Sequence, residues 1–384
     1  MEGLKRGAAA IVGVAESDLG QVAEGMSPMD LVAQGTQRAL ADCGLTLKDV
    51  DGLFCAMTQQ RMSITSMIEY LGIAPKFIGS SMTGGSSFEF HVAQAVAAIE
   101  AGLCSVAVIG YGSTQRSVGR RAASQREVNP YETPFNPFLP TSAYALAASR
   151  HMHQYGTTRE QLAEVAVAAR KWAQLNPVAW EKKDLTVADV LKSRMISHPL
   201  SVRDCCLVTD GGGAMVITSA ARAKSLKKAP AYILGCGHGI THMNISSMPD
   251  LTVTGAVEAG RAAYKMAKLS AKDMDVVELY DAFTINTILF LEDLGFCQKG
   301  EGGPFVSGGN IAPGGGLAVN TNGGGLSYCH PGMYGLLILI EGVRQLRGEC
   351  GERQSKKHDT AMVHGNGGVL SAQASVILGT GATL

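Results

Sequence analysis

The sequence predicts a layered α/β fold made of two similar halves. Its 384 residues exceed what one small domain needs and suit two domains or one duplicated unit. Short β-rich apolar runs alternate with stretches of helical periodicity, which is typical of helices packed on the faces of a sheet. In addition, the segment 45–51 resembles the segment 269–275, and each follows an alanine-rich helical stretch and precedes a short apolar strand.

Apolar runs of strand length are predicted to form the sheet. They lie at 10–14, 52–57, 106–110, 214–218, 231–235, 276–280, 361–364 and 374–378. Longer stretches with apolar residues every three or four positions are predicted to be helices with one buried face. These lie at 27–42, 90–101, 158–176, 257–268, 284–294 and 335–347. The first apolar run is short and leads directly into Glu16, so we interpret it as a buried strand rather than a signal peptide.

The two halves are predicted to meet near residue 230. The first half, 1–230, contains an insert at about 114–204 that we expect to lie over one face as a loop domain. A proline- and aromatic-rich stretch at 131–140 within this insert could line a bulky apolar pocket. The second half spans 231–384.

Composition and charge disfavour several classes of protein. Lysine plus arginine equals aspartate plus glutamate at 33 each, so the chain has no global electrostatic reason to bind nucleic acid or an anionic membrane. No apolar run reaches the roughly 18 residues of a membrane helix. The nine cysteines form no CxxC pair, so we expect reduced thiols in a cytoplasmic protein, with neither a disulfide framework nor a zinc knuckle. The absence of a Walker loop and of a GxGxxG after a strand disfavours nucleotide hydrolysis and dinucleotide binding.

One glycine-rich segment, residues 320–332, delivers His330 at the head of an apolar helical run. Glycine lets the backbone approach a ligand closely, and a rigid turn can hold a base in place. His330 is therefore a candidate general base or hydrogen-bond donor. The alternative is a structural histidine whose ring is satisfied by backbone groups.

Four motifs follow one another along nearly the whole chain. They are Gly-Gly-Ser-Ser at 84–87, Tyr-Asp-Ala-Phe at 280–283, Cys-His-Pro at 329–331 and His-Gly-Asn-Gly-Gly at 364–368. In this order they resemble the four active-site loops of the thiolase superfamily, in particular the sterol-carrier-protein-type thiolases and the bacterial lipid-transfer thiolase-like proteins. The family's versions read Cys-x-Ser, Asn-Glu-Ala-Phe or His-Asp-Ala-Phe, Gly-His-Pro and Cys-x-Gly.

The resemblance implies a five-layered α-β-α-β-α fold, a homodimer and chemistry at a carbon–carbon bond beside a CoA thioester. It implies acyl-CoA as substrate, with no bound cofactor and no metal. Relatives in this subgroup often pair with a small zinc-ribbon/OB-fold acyl-CoA-binding protein, so such a partner is implied as well.

This chain lacks the family's catalytic cysteines at their expected places. The alignment puts Gly85 at the nucleophile position, and the cysteine of the last loop is replaced near His364 or Asn366. His330 remains from the usual set, and Tyr280 stands where the family has asparagine or histidine.

The resemblance assigns candidate roles to the following residues. The catalytic candidates are His330, Tyr280, His364 and Cys329, and the substrate-binding candidates are Gly85, Ser86, Ser87, Asn322, Asn366, Gly367 and Arg116. Each has a structural alternative: a tyrosine or histidine of the core, a buried inert thiol, a serine that caps a helix, an asparagine that suits a turn, or an arginine on a solvated face with Arg120 and Arg121. The pair His151-x-His153 is interpreted as a helical surface pair rather than a metal site.

Three functions remain open at this level. The chain could be an acyltransferase whose nucleophile lies elsewhere, or a cysteine-independent lyase that cleaves a β-hydroxyacyl-CoA by retro-aldol chemistry. In the second case, His330 or Tyr280 would remove the β-hydroxyl proton and the other would stabilise the thioester enolate. A non-catalytic acyl-CoA-binding scaffold is the third reading.

Overall fold

The computed structural model describes residues 3–119 and 129–384. Arg120 and Arg121 therefore lie outside the described residues. The strands are β1 (Ala9–Glu16), β2 (Gly52–Cys55), β3 (Phe77–Gly79), β4 (Val106–Ser113), β5 (Met195–Ser197), β6 (Leu200–Ser201), β7 (Gly211–Ser219), β8 (Ala231–Ile240), β9 (Val276–Leu279), β10 (Ala318–Val319), β11 (Thr360–Gly367) and β12 (Ala372–Gly379). The helices are α1 (Pro28–Cys43), α2 (Ser63–Leu71), α3 (Ser87–Glu100), α4 (Gln115–Val118), α5 (Thr141–Tyr155), α6 (Arg159–Gln174), α7 (Val187–Lys192), α8 (Ala220–Ala223), α9 (Ala256–Ala267), α10 (Thr284–Asp293), α11 (Gly302–Val306) and α12 (Gly335–Leu346).

Within these residues, ten strands form one sheet whose two halves repeat the same order. The order is β3-β2-β4-β7-β1 in the first half and β10-β9-β11-β12-β8 in the second. The halves meet in the middle of the sheet, where β1 pairs with β8 through Ala10 with Tyr232 and Ile11 with Ala231. The repeat supports a duplicated unit, while the boundary near residue 230 stays a prediction.

The helices complete the layers around the sheet. Helices α3 and α12 pack against each other, and each also contacts strands of both halves, so they form a central layer. Helix α1 covers β1, β7 and β4 on one side, and α9 covers β8 and β12 on the other. The predicted α/β fold of the thiolase-like five-layered type is confirmed, and every strand and helix predicted above is present.

The insert between β4 and β7 packs against elements of the second half of the chain. Helix α6 contacts a π-helical turn at Gly324–Tyr328, as well as α10 and α11. The cap of α6 explains where it begins: Thr158 accepts the amide of Gln161 and the Gln161 side chain returns to the Thr158 amide. This packing brings the insert beside the turn that precedes His330.

In the part of the chain that the structure describes, no helix is long and apolar enough to cross a bilayer.

Candidate active site

Three of the four motifs meet at Gly85. A Cβ atom built on Gly85 would lie 2.2 Å from Cε2 of Tyr280 and 2.6 Å from the carbonyl oxygen of Asn366. Both distances are far below van der Waals contact, so no side chain fits at this position while Tyr280 stays in place. The tyrosine ring and the glycine therefore occupy complementary space.

Tyr280 forms a hydrogen-bonded pair with His330. The Tyr280 Oη lies 3.1 Å from His330 Nε2, and the two rings are perpendicular with centroids 5.6 Å apart. The Gly332 carbonyl is a second acceptor for the single phenolic hydrogen at 3.3 Å. Both side chains are buried, with 4% and 6% of their surfaces exposed, so the pair lies in a nearly dry site.

The surrounding elements hold this pair rigidly. Tyr280 follows β9 and its amide donates to the carbonyl of His364, a residue of β11, at 2.9 Å. The amide of His330 donates to Thr209 Oγ1 at 2.9 Å, and the Tyr334 ring lies nearly parallel to the imidazole with centroids 6.1 Å apart. Asp281 accepts the Gly325 amide at 2.6 Å and so fixes the π-helical turn before the histidine.

The pair is uncharged at neutral pH. Burial lowers the pKa of His330 to about 4, so its imidazole is neutral and can accept a proton. Burial, with smaller contributions from Cys206, Tyr144 and Tyr111, raises the pKa of Tyr280 well above its usual value. Tyr280 is therefore a neutral phenol that must pass a proton to act as a base, and His330 is the neighbour that can take it.

His364 and Asn366 belong to a directed chain of buried hydrogen bonds. His364 Nδ1 lies 2.8 Å from Ser375 Oγ, and its Nε2 lies 2.9 Å from Gln373 Oε1. Gln373 Nε2 donates to Asn366 Oδ1 at 2.8 Å, and Asn366 Nδ2 donates to the hydroxyl of Tyr144 at 2.9 Å. Because Gln373 Oε1 can only accept, the proton of the neutral imidazole is on Nε2. Burial lowers the pKa of His364 to about 4, which agrees with a neutral ring whose nitrogens are both engaged.

Tyr144 closes this chain and is a residue that sequence reasoning missed. Its hydroxyl donates to the Gly368 carbonyl at 3.1 Å, and its ring stacks on Phe283 with centroids 4.3 Å apart. It lies on α5 of the insert, in an alanine-rich stretch without a motif, so no sequence signal distinguished it. The chain of hydrogen bonds thus ties the insert to the loop that faces Gly85.

Replacing Tyr144 with phenylalanine is expected to lower the free energy of unfolding by about 1–3 kcal/mol, because the buried amide of Asn366 loses its acceptor. Urea denaturation measures this change. Tyr131→Phe is the matched control, since 81% of the Tyr131 side chain is exposed. Equal stabilities of the two variants would show that the chain of hydrogen bonds contributes nothing.

Cys329 adjoins His330, but its sulfur contacts other groups. Its Sγ lies 3.1 Å from Thr209 Oγ1 and 3.7 Å from the Asp210 carbonyl, and burial raises the pKa of the thiol to about 12. These contacts favour an inert thiol over a reactive one.

The two serines close the first loop rather than cap α3 in the usual way. Ser87 Oγ accepts the Thr83 amide at 2.9 Å and donates to the Gly84 carbonyl at 2.6 Å. Ser86 makes no capping hydrogen bond from its side chain, and its hydroxyl contacts Thr83. The structural alternative, a serine that caps the helix, does not hold for the Ser86 side chain, because both hydroxyls contact the preceding turn.

The remaining substrate-binding candidates lie at different depths. Gly367 presses against the Thr83 carbonyl, where a Cβ atom would clash at 1.6 Å. Asn322 is buried and accepts the hydroxyl of Tyr334 at 2.7 Å, while its Nδ2 has no partner in the described ranges. Arg116 lies at the surface with its guanidinium over the ring of Trp180, 4.7 Å from the centroid, and donates to the Val208 carbonyl.

Two further expectations need correction. His151 is fully buried and its Nε2 contacts the Glu292 carboxylate at 3.0 Å, so it is not half of a surface pair. No group of three His, Cys, Asp or Glu side chains within 3–119 and 129–384 could hold a metal ion.

The second correction concerns the aromatic stretch of the insert. Tyr131, Phe135 and Phe138 are 81%, 84% and 57% exposed, so these aromatic residues form a surface instead of lining an internal pocket.

Comparisons with known proteins identify the family of the chain. A family model described as Thiolase C-terminal domain-like matches residues 237–380. The 17-hydroxy-3-oxo-4-pregnene-20-carboxyl-CoA lyase of Mycobacterium tuberculosis is 35% identical over 364 residues, which cover 89% of this chain and 92% of the relative.

The chain belongs to the thiolase superfamily. An acetyl-CoA acetyltransferase of Methanothermobacter thermautotrophicus is 32% identical to this thiolase-superfamily chain over 380 residues, 94% of the chain and 96% of the relative. A solved structure described as Ltp2-ChsH2(DUF35) aldolase matches with a TM-score of 0.89 and 32% identity over 98% of this chain and 99% of the other. The predicted family and fold are confirmed, and so is the prediction of a thiolase-type enzyme, since these full-length relatives are transferases and lyases.

Proposed function

We propose that this enzyme cleaves a β-hydroxyacyl-CoA by a retro-aldol reaction that uses no cysteine. The observation that carries the proposal is the position of Tyr280, whose ring fills the space that a nucleophile at Gly85 would need. A tyrosine paired with a neutral histidine suits proton transfer to and from a hydroxyl group, not acyl-enzyme formation. The similarity to a lyase of a 17-hydroxy steroid CoA ester supports the same reaction type.

The proposed reaction begins with removal of the β-hydroxyl proton. Tyr280 takes this proton as its own phenolic proton passes to His330 Nε2 over the 3.1 Å hydrogen bond. The bond between the α- and β-carbons then breaks, its electron pair forms the thioester enolate, and the β-carbon leaves as a ketone or aldehyde. The stored proton finally returns to the α-carbon and gives the shorter acyl-CoA. One substrate yields two products without any change in overall oxidation state.

The helix termini support the enolate step. Helix α3 begins two residues after Gly85, and α12 begins next to Tyr334, which stacks on His330. The positive ends of both helix dipoles therefore lie at the site, where they favour developing negative charge.

Acyl transfer is the second candidate, because one cysteine lies near the site. Cys206 is half-buried, its amide donates to the Ala282 carbonyl at 2.8 Å, and the charge of its thiolate would act on both Tyr280 and Tyr144. Similarity to an acetyl-CoA acetyltransferase favours the same class.

Removing the thiols should leave the proposed reaction intact. We expect Cys206→Ala and Cys329→Ala to keep kcat for β-hydroxyacyl-CoA cleavage within about threefold of wild type, because neither thiol takes part in a proton transfer. Liquid chromatography of the released acyl-CoA and carbonyl product measures the turnover, and intact-protein mass spectrometry detects any acyl-enzyme.

The other functions predict different results in the same experiment. An acyl group on Cys206, with loss of turnover in Cys206→Ala, would establish acyl transfer. Tight binding of acyl-CoA without turnover of β-hydroxy or β-keto thioesters, with the partner protein present, would establish the scaffold.

We also propose a homodimer and a small zinc-ribbon/OB-fold partner. Strand β3 lies at the edge of the sheet with 47% of Ile78 exposed, and an edge strand leaves backbone groups free to pair with another copy. The exposed aromatics Tyr131 and Phe135 offer a separate apolar surface. The solved relative is described as Ltp2-ChsH2(DUF35) aldolase, and this description includes a second component, ChsH2(DUF35). Its presence supports a partner for this chain.

A further inference from the structure

Glu89 is a buried carboxyl group that the proposed chemistry does not use. It lies in the first turn of α3, one turn after Gly85, and none of its surface is exposed. Neither carboxyl oxygen has a hydrogen-bond partner among residues 3–119 and 129–384, and no cation is paired with it there. An ionised carboxylate in such a place would be very costly, so the group must be held in its neutral form.

Two glycines make the space for this carboxyl. A Cβ atom on Gly335 would lie 2.6 and 2.7 Å from the two Glu89 oxygens, and one on Gly365 would lie 2.2 and 2.8 Å from them. Gly335 begins α12 directly after Tyr334, and Gly365 lies on β11 between His364 and Asn366. The space that holds the Glu89 carboxyl thus lies between the central helices and the last active-site loop.

The same space also holds the Gly85 carbonyl. That oxygen lies 2.3 Å from the Cβ position of Gly335, beside the Glu89 oxygens. Both Glu89 oxygens and this carbonyl oxygen thus lie within 2.7 Å of one point, the Cβ position of Gly335. A protonated acid can donate there, whereas an ionised one can only repel the carbonyl oxygen.

We propose that Glu89 is a positioning residue that remains protonated in the working enzyme and holds the Gly85 loop by a hydrogen bond to the Gly85 carbonyl. It thereby keeps the loop in the place that leaves room for Tyr280. The inference rests on the proposed function for its kinetic consequences, but not for its structural ones.

Ionisation of Glu89 has a distinct pH window. Burial raises the pKa of Glu89 to about 8. Among the titratable groups of the site, Asp281 also changes charge near this pH, because burial raises its pKa to about 7, whereas the following groups do not. His91 and His364 have pKa values lowered to about 4, while the pKa values of Tyr280 and Tyr334 are raised well above 10, all mainly by burial.

The test compares wild type with Glu89→Gln and Glu89→Leu. Glutamine keeps the shape and a donor but cannot ionise, so we expect kcat at pH 7 within about threefold of wild type. Wild-type kcat should fall as the pH rises through about 8, the pKa of Glu89, and this fall should be absent from Glu89→Gln. Leucine removes the donor, so we expect kcat to fall about tenfold at all pH values with KM nearly unchanged. An alkaline fall of the same midpoint in Glu89→Gln, or full activity of Glu89→Leu, would overturn the proposal.

A substrate-free measurement separates this inference from the proposed function. Infrared difference spectra of wild type should show the band of a protonated carboxyl group that disappears as the pH passes about 8 and that Glu89→Gln lacks. Asp281→Asn is the control, because Asp281 is the buried carboxyl beside Tyr280, with its pKa raised to about 7. If no β-hydroxyacyl-CoA is cleaved but the band behaves as expected, the proposed function fails and the protonated Glu89 stands; without the band, the inference fails whatever the activity.

Discussion

Replacing Tyr280 with phenylalanine is expected to lower kcat for retro-aldol cleavage by about 10²- to 10⁴-fold, the range for loss of a general acid–base group. Phenylalanine keeps the ring against Gly85 but removes the oxygen that lies 3.1 Å from His330 Nε2. KM should change little, because the shape of the site is retained. Steady-state kinetics with a β-hydroxyacyl-CoA measure both kcat and KM, and thermal denaturation checks that the variant is folded.

The control for this variant is Tyr334→Phe. The Tyr334 hydroxyl donates to Asn322 rather than to the pair, although its ring stacks on His330. We expect its kcat to remain within about tenfold of wild type, since it removes a structural hydrogen bond only. A Tyr280→Phe enzyme as active as Tyr334→Phe would refute the role of the phenol.

His330→Gln should be as damaging as Tyr280→Phe, and the double variant no worse than either. Residues that act as one unit are non-additive, because each single change already stops the proton transfer. The pKa of His330, lowered to about 4, also sets the direction of the pH dependence. The imidazole is neutral above this pH and can act as a base, so activity is lost as the pH falls through about 4. Rates of the single and double variants test the unit directly.

The sequence could predict the order of the motifs but not their contacts. Tyr280 and His330 are 50 residues apart, and only the parallel pairing of β9 with β11 and the π-helical turn bring them together. The alignment does predict that Gly85 stands where the family has its nucleophile. That Tyr280 fills the vacated space depends on side-chain packing between separate loops, which no local pattern encodes.

Tyr144 and Glu89 were not among the residues predicted from the sequence, and the physical reasons differ. Tyr144 acts through one hydroxyl at the end of a hydrogen-bond chain, and Tyr residues in amphipathic helices are usually core residues. Glu89 did carry a signal: it stands between Phe88 and Phe90 at the start of an apolar helix, where a solvated carboxylate is unexpected. Strand β3, only three residues long, is too short to be told from a loop by alternation.

A second large effect is expected from Gly85→Ala. The added methyl group would lie 2.2 Å from the Tyr280 ring, so the ring or the loop must move, at a cost of about 1–3 kcal/mol for overpacking. Displacement of the phenol also breaks its contact with His330, so kcat should fall by at least about 10²-fold. Denaturation and kinetics measure both changes. Gly3→Ala is the control, because no atom lies within 4 Å of its Cβ position.

The double variant Gly85→Ala with Tyr280→Ala identifies the cause. Once the ring is gone, the nearest remaining of these contacts of the methyl group is the Asn366 carbonyl, 2.6 Å away. We therefore expect Gly85→Ala to be less destabilising in the Tyr280→Ala background by about 1 kcal/mol or more, the coupling typical of side chains in contact. Equal costs in the two backgrounds would mean that the glycine serves the loop and not the tyrosine. A smaller cost in the Tyr280→Ala background would mean instead that Gly85 and Tyr280 form one unit. In this unit an aromatic ring occupies the space that the family's thiolate needs.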